Sequence, residues 1–509
     1  MPLTQSRTKN SKRNIFSGLV KQVLSILLPF LIRTIVIYTL GANYQGLSGL
    51  FTSILNVLNL SELGLSTAIV FALYKPIADG DDNLISALVN MLKRVYRVVG
   101  IIIVTIGLSL LPFLRFLISG DVPTGINIYI LYLLYLLNSA ISYWLFAYKT
   151  ALLTAMQRED IVSNVFTFTT LASRIIQIVI LLLFRNYYLF LVILPVGTIV
   201  NNFIVNYFAK KIYPNLSKRK DIPSDVKKNI YKQVGALIIS RIADVARNSL
   251  DNIIISMYIG LTAVAIYDNY FYIFSGLRGF FLVVVTAIQA SVGNSIAKES
   301  IEKNYNDYKK FTLMFAILSG LTSICLLCLY QPFMRIWMRS DSMMLTIGSV
   351  VLLSIYFYEI NACNVPNLYF NGNGLYWDCK WWYIIEAVSN LLLNILLGYF
   401  LGIFGILLAT VVTLFLFNFL PRHRLVFLKY FKVSRKEDLF SLALYALSTA
   451  VIGLVVFYMT SAIGHAGLVG FFVKAFFSLF LSSLFYLLIF SKTKTFKEAK
   501  TFVTNAFFR

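Results

Sequence analysis

The sequence predicts an all-α integral membrane protein with about fourteen transmembrane helices, and three observations carry that expectation. Of 509 residues, 58% are hydrophobic and only 13% are charged, with a mean hydropathy of +0.76; a soluble chain carries about 25% charged residues. The apolar residues arrive in continuous runs of about 20, the length a helix needs to cross roughly 30 Å of hydrocarbon. A β-barrel would show short alternating segments instead, and lipid offers no partner for open backbone groups, which favours helices. The third observation is where the charges fall, and it requires the helices in order.

Residues 1–14 are polar and basic. The first apolar run, near 16–40, is too long for a removable signal peptide. It carries Lys21, Ser25, Pro29 and Arg33 at four-residue spacing, along one stripe. The second run, near 46–74, holds Asn56, Asn59, Glu62 and Ser66, with Glu62 a candidate counter-ion for Arg33. Runs near 98–118 and 126–148 are plainly apolar. A fifth near 162–184 sets Arg174 at mid-depth, and a sixth near 188–209 ends at the connector "KKIYPNLSKRKDIPSDVKK", whose Pro, Lys and Ser content reads as a linker.

The seventh run, near 234–259, is the most polar. Arg241, Asp244, Arg247, Asn248, Asp251 and Asn252 fall within about 140° of its circumference at 100° per residue. Internal pairing of Arg241 with Asp244 and of Arg247 with Asp251 is the structural reading of that stripe. The eighth, near 265–297, contains "SGLRG" around Arg278. A ninth near 311–331 holds Cys325 and Cys328; with neither a βαβ setting nor a second ligand pair, these read as packing residues. The tenth, near 344–370, includes Glu359 and the helix-breaking Pro366. Runs near 381–400, with Glu386 just inside, and 405–421 meet at a tight turn around Gly402 and Gly405. The last two lie near 439–461 and 467–491.

Assigning alternate loops to opposite sides puts 34 of the 45 Lys and Arg residues on the side holding both termini. Only Arg115, Arg185, Arg335, Arg339 and Lys474 fall opposite; Lys21 and five arginines lie within helices. A missed helix would scramble this asymmetry, so an even count with both termini cytoplasmic is expected. The net charge of +23 then belongs to loops facing anionic lipid, and no nucleic acid is implied. No nucleotide-binding motif, metal-ligand set or cofactor motif is seen, so no catalytic residue, metal or cofactor is assigned.

The chain also repeats itself. "RTIVIYTLGANYQGLSGLF" from Arg33 and "NIIISMYIGLTAVAIYDNY" from Asn252 both place a glycine eight residues on (Gly41, Gly260), an offset of 219 residues. With the linker, this divides the chain into helices 1–6 (1–209), the linker (210–233), helices 7–12 (234–421), and a helix pair with a basic tail (422–509). Six is even, so the halves are expected to be parallel repeats.

Intramembrane charge carries the functional expectation. An Arg at a helix centre costs about 2.5–3.5 kcal/mol on insertion scales. Arg174 and Arg278 sit roughly 18–20 Å from their helix starts at 1.5 Å per residue, too deep to snorkel easily. Arg33, Arg174, Arg241, Arg247 and Arg278 come from both halves, which predicts a shared cationic cavity binding a polyanion such as a diphosphate. Glu62, Asp244, Asn248, Asp251, Asn252 and Glu359 are the polar-cavity or ion-coupling candidates.

Residues 33–81 resemble the opening of polysaccharide flippases (Wzx-type, polysaccharide transporter family) of the multidrug/oligosaccharidyl-lipid/polysaccharide exporter superfamily. The Leu40–Gly41 turn, Tyr44, Gly46–Leu47 and Glu62–Leu63–Gly64 carry the likeness, and "LDNIIISMYIGLTAVAIYDNY" resembles that family's second-half opening. The resemblance implies two six-helix lobes around a cationic central cavity, alternating access, and a multi-pass protein of the bacterial cytoplasmic (inner) membrane. The implied substrate is an undecaprenyl-diphosphate-linked oligosaccharide for capsule, O-antigen or exopolysaccharide assembly. A polysaccharide polymerase and other assembly proteins are the implied partners. Lipid II or a drug on the same fold, a passive scramblase, and a membrane polymerase or acyltransferase are the rivals. An acyltransferase would want a buried His, whereas His423 and His465 are expected in loops at the membrane edge.

Overall fold

A computed structural model of the chain describes residues 7–507, apart from 60–64, 121, 215, 217–221 and 464–466. Described residues form helices joined by short connections, with no strand among them. The first unit, Met1–Ala265, begins with α1 (Arg7–Thr39), which contains Pro29. Gly41, at φ 109°, turns the chain into α2 (Ala42–Leu58). The expected single second helix is thus α2 followed by α3 (Leu65–Asp79), with 60–64 between them outside the described residues.

The third helix starts sixteen residues earlier than its apolar run. In α4 (Asp82–Ser109) the Asp81 carboxylate accepts the Asn83 and Leu84 N–H groups at 3.0 Å, an N-cap that lets the helix begin in its polar turns. A short 3₁₀ segment, Leu111–Leu117, follows at a 61° bend. Then come α5 (Ile128–Trp144), α6 (Tyr148–Ala155) bent from it by 47°, α7 (Glu159–Phe184), α8 (Tyr187–Ile212) and α9 (Ser224–Tyr258). The core of this unit is apolar and aromatic, with Leu47, Phe51, Leu88, Leu131 and Tyr132 fully buried.

The second unit is Ile266–Arg509. It takes most of α10 (Leu261–Lys298), then α11 (Ile301–Met338), α12 (Ile347–Ala362) and α13 (Asn364–Gly372). The break between α12 and α13 falls at Cys363, three residues before Pro366, whose ring nitrogen has no proton to donate. Next are α14 (Lys380–Thr413), a π-helical turn, α15 (Leu420–Leu425), a second π-helical turn, and α16 (Lys436–Ser461), α17 (Gly467–Phe490) and α18 (Lys494–Phe507). The pair α16–α17 docks on α11 through Ile324, Cys328, Ile452, Val456 and Tyr486. Thr449 and Tyr486 hydroxyls meet there at 2.6 Å, beside Gly320. All four cysteines are free thiols.

Within α14 the chain reverses at Gly402, with φ 60° and ψ −139°, backbone open essentially to glycine alone. Three residues on, a Cβ on Gly405 would lie 2.0 Å from the Leu397 carbonyl oxygen. The hairpin is closed by buried amides: Asn390 donates to Thr413 at 3.2 Å, and Asn418 donates to Glu386 at 2.7 Å. Gly402→Ala should destabilise the protein by about 1–3 kcal/mol. Gly405→Leu should remove most folded material, as read by size-exclusion chromatography in detergent. Normal yields of Gly405→Leu would show that the two passes do not approach this closely.

Nine described helical stretches are long and apolar enough to span a bilayer, or eleven if each bent pair is one span. Counting the Gly402 hairpin as two passes, and adding α2–α3 and the charged α9, gives the expected fourteen. Large apolar side chains stand exposed along these helices, Leu183 (72% exposed), Phe400 (70%) and Val469 (74%) among them, as on a surface that faces hydrocarbon. This is an all-α, multi-pass membrane protein.

Candidate functional site

The first unit encloses a cavity of about 350 Å³ among α1, α2, α5, α7 and α8. Arg33 reaches it from α1 and Arg174 from α7, both half-buried. The rest of the wall is mostly hydroxyls and amides, among them Gln45, Ser48, Asn56, Asn138 and Tyr135, and no Asp or Glu occurs among the described lining residues. Arg174 is held in place: its Nη1 donates to Gln177 Oε1 at 2.8 Å, and Gln177 donates on to the Phe190 carbonyl of α8 at 2.9 Å. Across the cavity Tyr135 donates to Ser48 at 2.8 Å, and Tyr187 donates to the Tyr44 carbonyl at 3.1 Å. Two guanidinium groups thus share one polar hollow inside apolar helices. Such a hollow favours an anion, because its cations gain most from a partner that brings its own negative charge.

Arg247 and Arg278 are not among the described lining residues of this cavity. Arg247, 4% exposed, pairs with Asp244 at 2.6 Å on the same helix, and Asn248 donates to the Asp244 carbonyl at 2.7 Å. Asn252 donates to Ser53 of α2 at 3.0 Å, and Asp251 beside it is buried. The stripe on α9 is therefore turned partly onto α2 and partly into an internal ion pair. Arg247 pairs with Asp244, three residues back, an acid that the spacing of the sequence matches to Arg241. Arg278 is half-buried on α10 in the second unit. Glu359 lines a different cavity there, about 520 Å³ and otherwise almost wholly apolar, between α12, α14 and α16. Glu62 and the Arg241 side chain lie outside the described residues.

His423 corrects an expectation. It is fully buried in α15, its Nε2 2.6 Å from Asp438 Oδ2, and Tyr308 donates to the same oxygen at 3.0 Å. Its ring stacks on Phe427 with centroids 4.5 Å apart. Asp438 sits in the first turn of α16, so the pair ties the C-terminal helices to α11. His465 is outside the described residues. Removing one partner of a buried hydrogen bond leaves the other unsatisfied, at about 1–3 kcal/mol and more where the stranded group is a carboxylate. His423→Ala should lower thermal stability on that scale, read as the Tm of the purified protein in detergent; an unchanged Tm would show that the pair does not brace α15.

No protein-family model and no curated protein matches the chain. Solved structures do. A lipid II flippase MurJ in an inward closed conformation superposes with a TM-score of 0.67, covering 95% of this chain and 99% of that one at 15% identity. An inward-facing multidrug resistance MATE family transporter of the MOP superfamily gives 0.58, over 81% of this chain and 98% of its own, at 16% identity. At these identities the likeness shows a shared fold. A MOP superfamily transporter from Pyrococcus furiosus, described by the reverse polarity of its binding pocket, gives 0.54 over 84% and 98% at 15% identity. Within this fold, Gln177, Tyr135 and Tyr187 are cavity-building residues that the sequence reading passed over. Gln177 follows Arg174 by three positions, which was the available signal.

Proposed function

We propose that the chain is a transporter, a flippase that moves an undecaprenyl-diphosphate-linked oligosaccharide across a bacterial cytoplasmic membrane by alternating access. Both termini would be cytoplasmic, and the product would feed capsule, O-antigen or exopolysaccharide assembly. The observation that carries this reading is the cavity shared by Arg33 and Arg174, whose described lining holds no carboxylate. Guanidinium binds phosphate oxygens in pairs, and such a cavity repels the organic cations that a drug exporter removes. Residues 1–209 and 234–421 are the proposed moving lobes, joined by 210–233, with 422–509 as the added pair and tail. Arg241, Arg247 and Arg278 are the further cations proposed to meet the diphosphate.

The likeness to MurJ over nearly the whole chain supports a lipid-linked cargo and favours lipid II as the second reading. His423 is buried, so its position no longer argues against an acyltransferase; what favours transport is the Arg33–Arg174 cavity, whose described lining holds no carboxylate. Reconstituted into proteoliposomes, the protein should flip labelled undecaprenyl-diphosphate oligosaccharide. No translocation would overturn the reading, and faster flipping of lipid II would put the second one first. Ionophores in the same vesicles would identify the coupling ion among the proposed Glu62, Asp244, Asp251 and Glu359 sites. Arg247→Ala and Arg278→Ala are each expected to abolish flipping at normal membrane abundance. Wild-type rates from both would remove these two from the proposed substrate path.

A further inference from the structure

The side of the membrane that the charge pattern assigns to the exterior has only five basic residues, and two of them meet in one pocket. Arg335 on α11 and Lys474 on α17 line a space of about 220 Å³ with Pro332, Ile336, Gly467 and Gly470. Lys474 lies seven residues into α17, about 10 Å from its start, and Arg335 about 5 Å from the end of α11. Since the two helices pack together, their cations converge at one end of the bundle.

Lys474 is only 5% exposed, and it has no carboxylate partner among the described residues. Its electrostatic neighbour is the Cys328 thiol of α11. Arg335 has a weak partner, Asp341 at 3.3 Å, with both side chains well exposed. A buried ammonium without a counter-ion is expensive in any protein. This one points into a cavity that opens beside the first turn of α17, where backbone N–H groups have no helical acceptor and the helix dipole favours negative charge. Gly467 and Gly470 leave that turn bare of side chains on the pocket wall. Flanking it are Leu468, Val469 and Phe472, 62–74% exposed, a surface for acyl chains.

We infer that this pocket binds the phosphodiester headgroup of an anionic lipid in the outer leaflet, with Lys474 as its buried counter-charge. The site is separate from the Arg33–Arg174 cavity and stands whether or not the flippase reading does. Phosphate oxygens take the Lys474 ammonium, the Arg335 guanidinium and the first N–H groups of α17, while the tails lie along the exposed apolar side chains.

The test is thermal unfolding of the purified full chain in micelles with phosphatidylglycerol or phosphatidylcholine. Phosphatidylglycerol should raise the Tm of the wild type by several degrees over phosphatidylcholine. That difference should vanish in Lys474→Met, persist in Lys474→Arg, and persist in the control Lys380→Met. Without anionic lipid, Lys474→Met should unfold at or above the wild-type temperature, because an uncompensated buried charge has been replaced by an apolar chain of similar length. A fall in that lipid-free Tm would mark Lys474 as a structural cation and overturn the site. An undiminished phosphatidylglycerol shift in Lys474→Met would also overturn it, as would an equal shift from inorganic phosphate alone, which makes the ligand a free anion. Should Lys474→Met not accumulate, Arg335→Gln, on the exposed side, must reduce the same lipid-dependent shift.

Discussion

Arg33→Ala and Arg174→Ala should each reduce flipping by about 10- to 100-fold at normal membrane abundance, and the double variant should leave none measurable. The scale follows from charge-assisted hydrogen bonds worth about 1.5–3 kcal/mol each, at about 1.4 kcal/mol per factor of ten. The measurement is flipping rate per folded molecule in proteoliposomes, with size-exclusion profiles to show that each variant folds. Folding should survive, because both side chains are half-buried at a polar cavity and so are not sealed in an apolar core. Lysine in either place should restore part of the rate if charge alone matters, and less if the planar fork matters. A wild-type rate from the double variant would remove the cavity from the mechanism.

Arg174 is braced by Gln177, which is itself anchored on the Phe190 carbonyl, so under the proposed function Arg174 would meet its substrate already oriented. Gln177→Leu should therefore imitate part of the Arg174→Ala defect, by freeing the guanidinium without removing it. Such preorganisation lowers the entropy lost on binding.

What the sequence disclosed and what it concealed divide along physical lines. Long apolar runs disclosed the helices, since hydrocarbon thickness permits few other lengths. Arg33 and Arg174 stood out as membrane cavity residues because a guanidinium at that depth needs a polar surrounding. Helix starts were less visible where capping outweighed hydropathy, as at Asp81 ahead of α4. On α9, Asp244 and Asp251 lie three and four residues from Arg247 on opposite sides, so spacing alone could not choose between them. His423 looked like a loop residue because arginines flank it on α15. Its burial depends on Asp438, fifteen residues on, and on Tyr308, from a helix more than a hundred residues earlier. Pairings at that separation leave no periodic trace.

A cysteine pair at Asn43 and Thr262 should lose nearly all flipping on oxidation and recover it with reductant. These positions are the same distance, 219 residues, apart as the repeated glycines Gly41 and Gly260. Both glycines hold the left-handed backbone, φ 109° and 114°, so the two halves of the repeat turn alike. Thr262 donates to Asn43 at 2.5 Å, joining equivalent points of the repeat. Alongside, a Cβ on Gly46 would lie 2.0 Å from the Leu261 carbonyl, and Ser119 donates its N–H to Ser256 at 2.8 Å. The end of α9 and the start of α10 are thus clamped on α2. If residues 234–421 move as one lobe, as proposed, this clamp must open in every cycle, and a disulfide there traps one state. Gly46→Val acts in the opposite sense, wedging the clamp apart. Each 1.4 kcal/mol or so of lost contact shifts the closed-to-open ratio about tenfold. Reagent labelling at Thr262→Cys should rise in Gly46→Val accordingly. Unimpaired flipping by the fully oxidised pair would mean that transport proceeds with α2 and α9 fixed together, and the motion would have to be sought elsewhere in the chain.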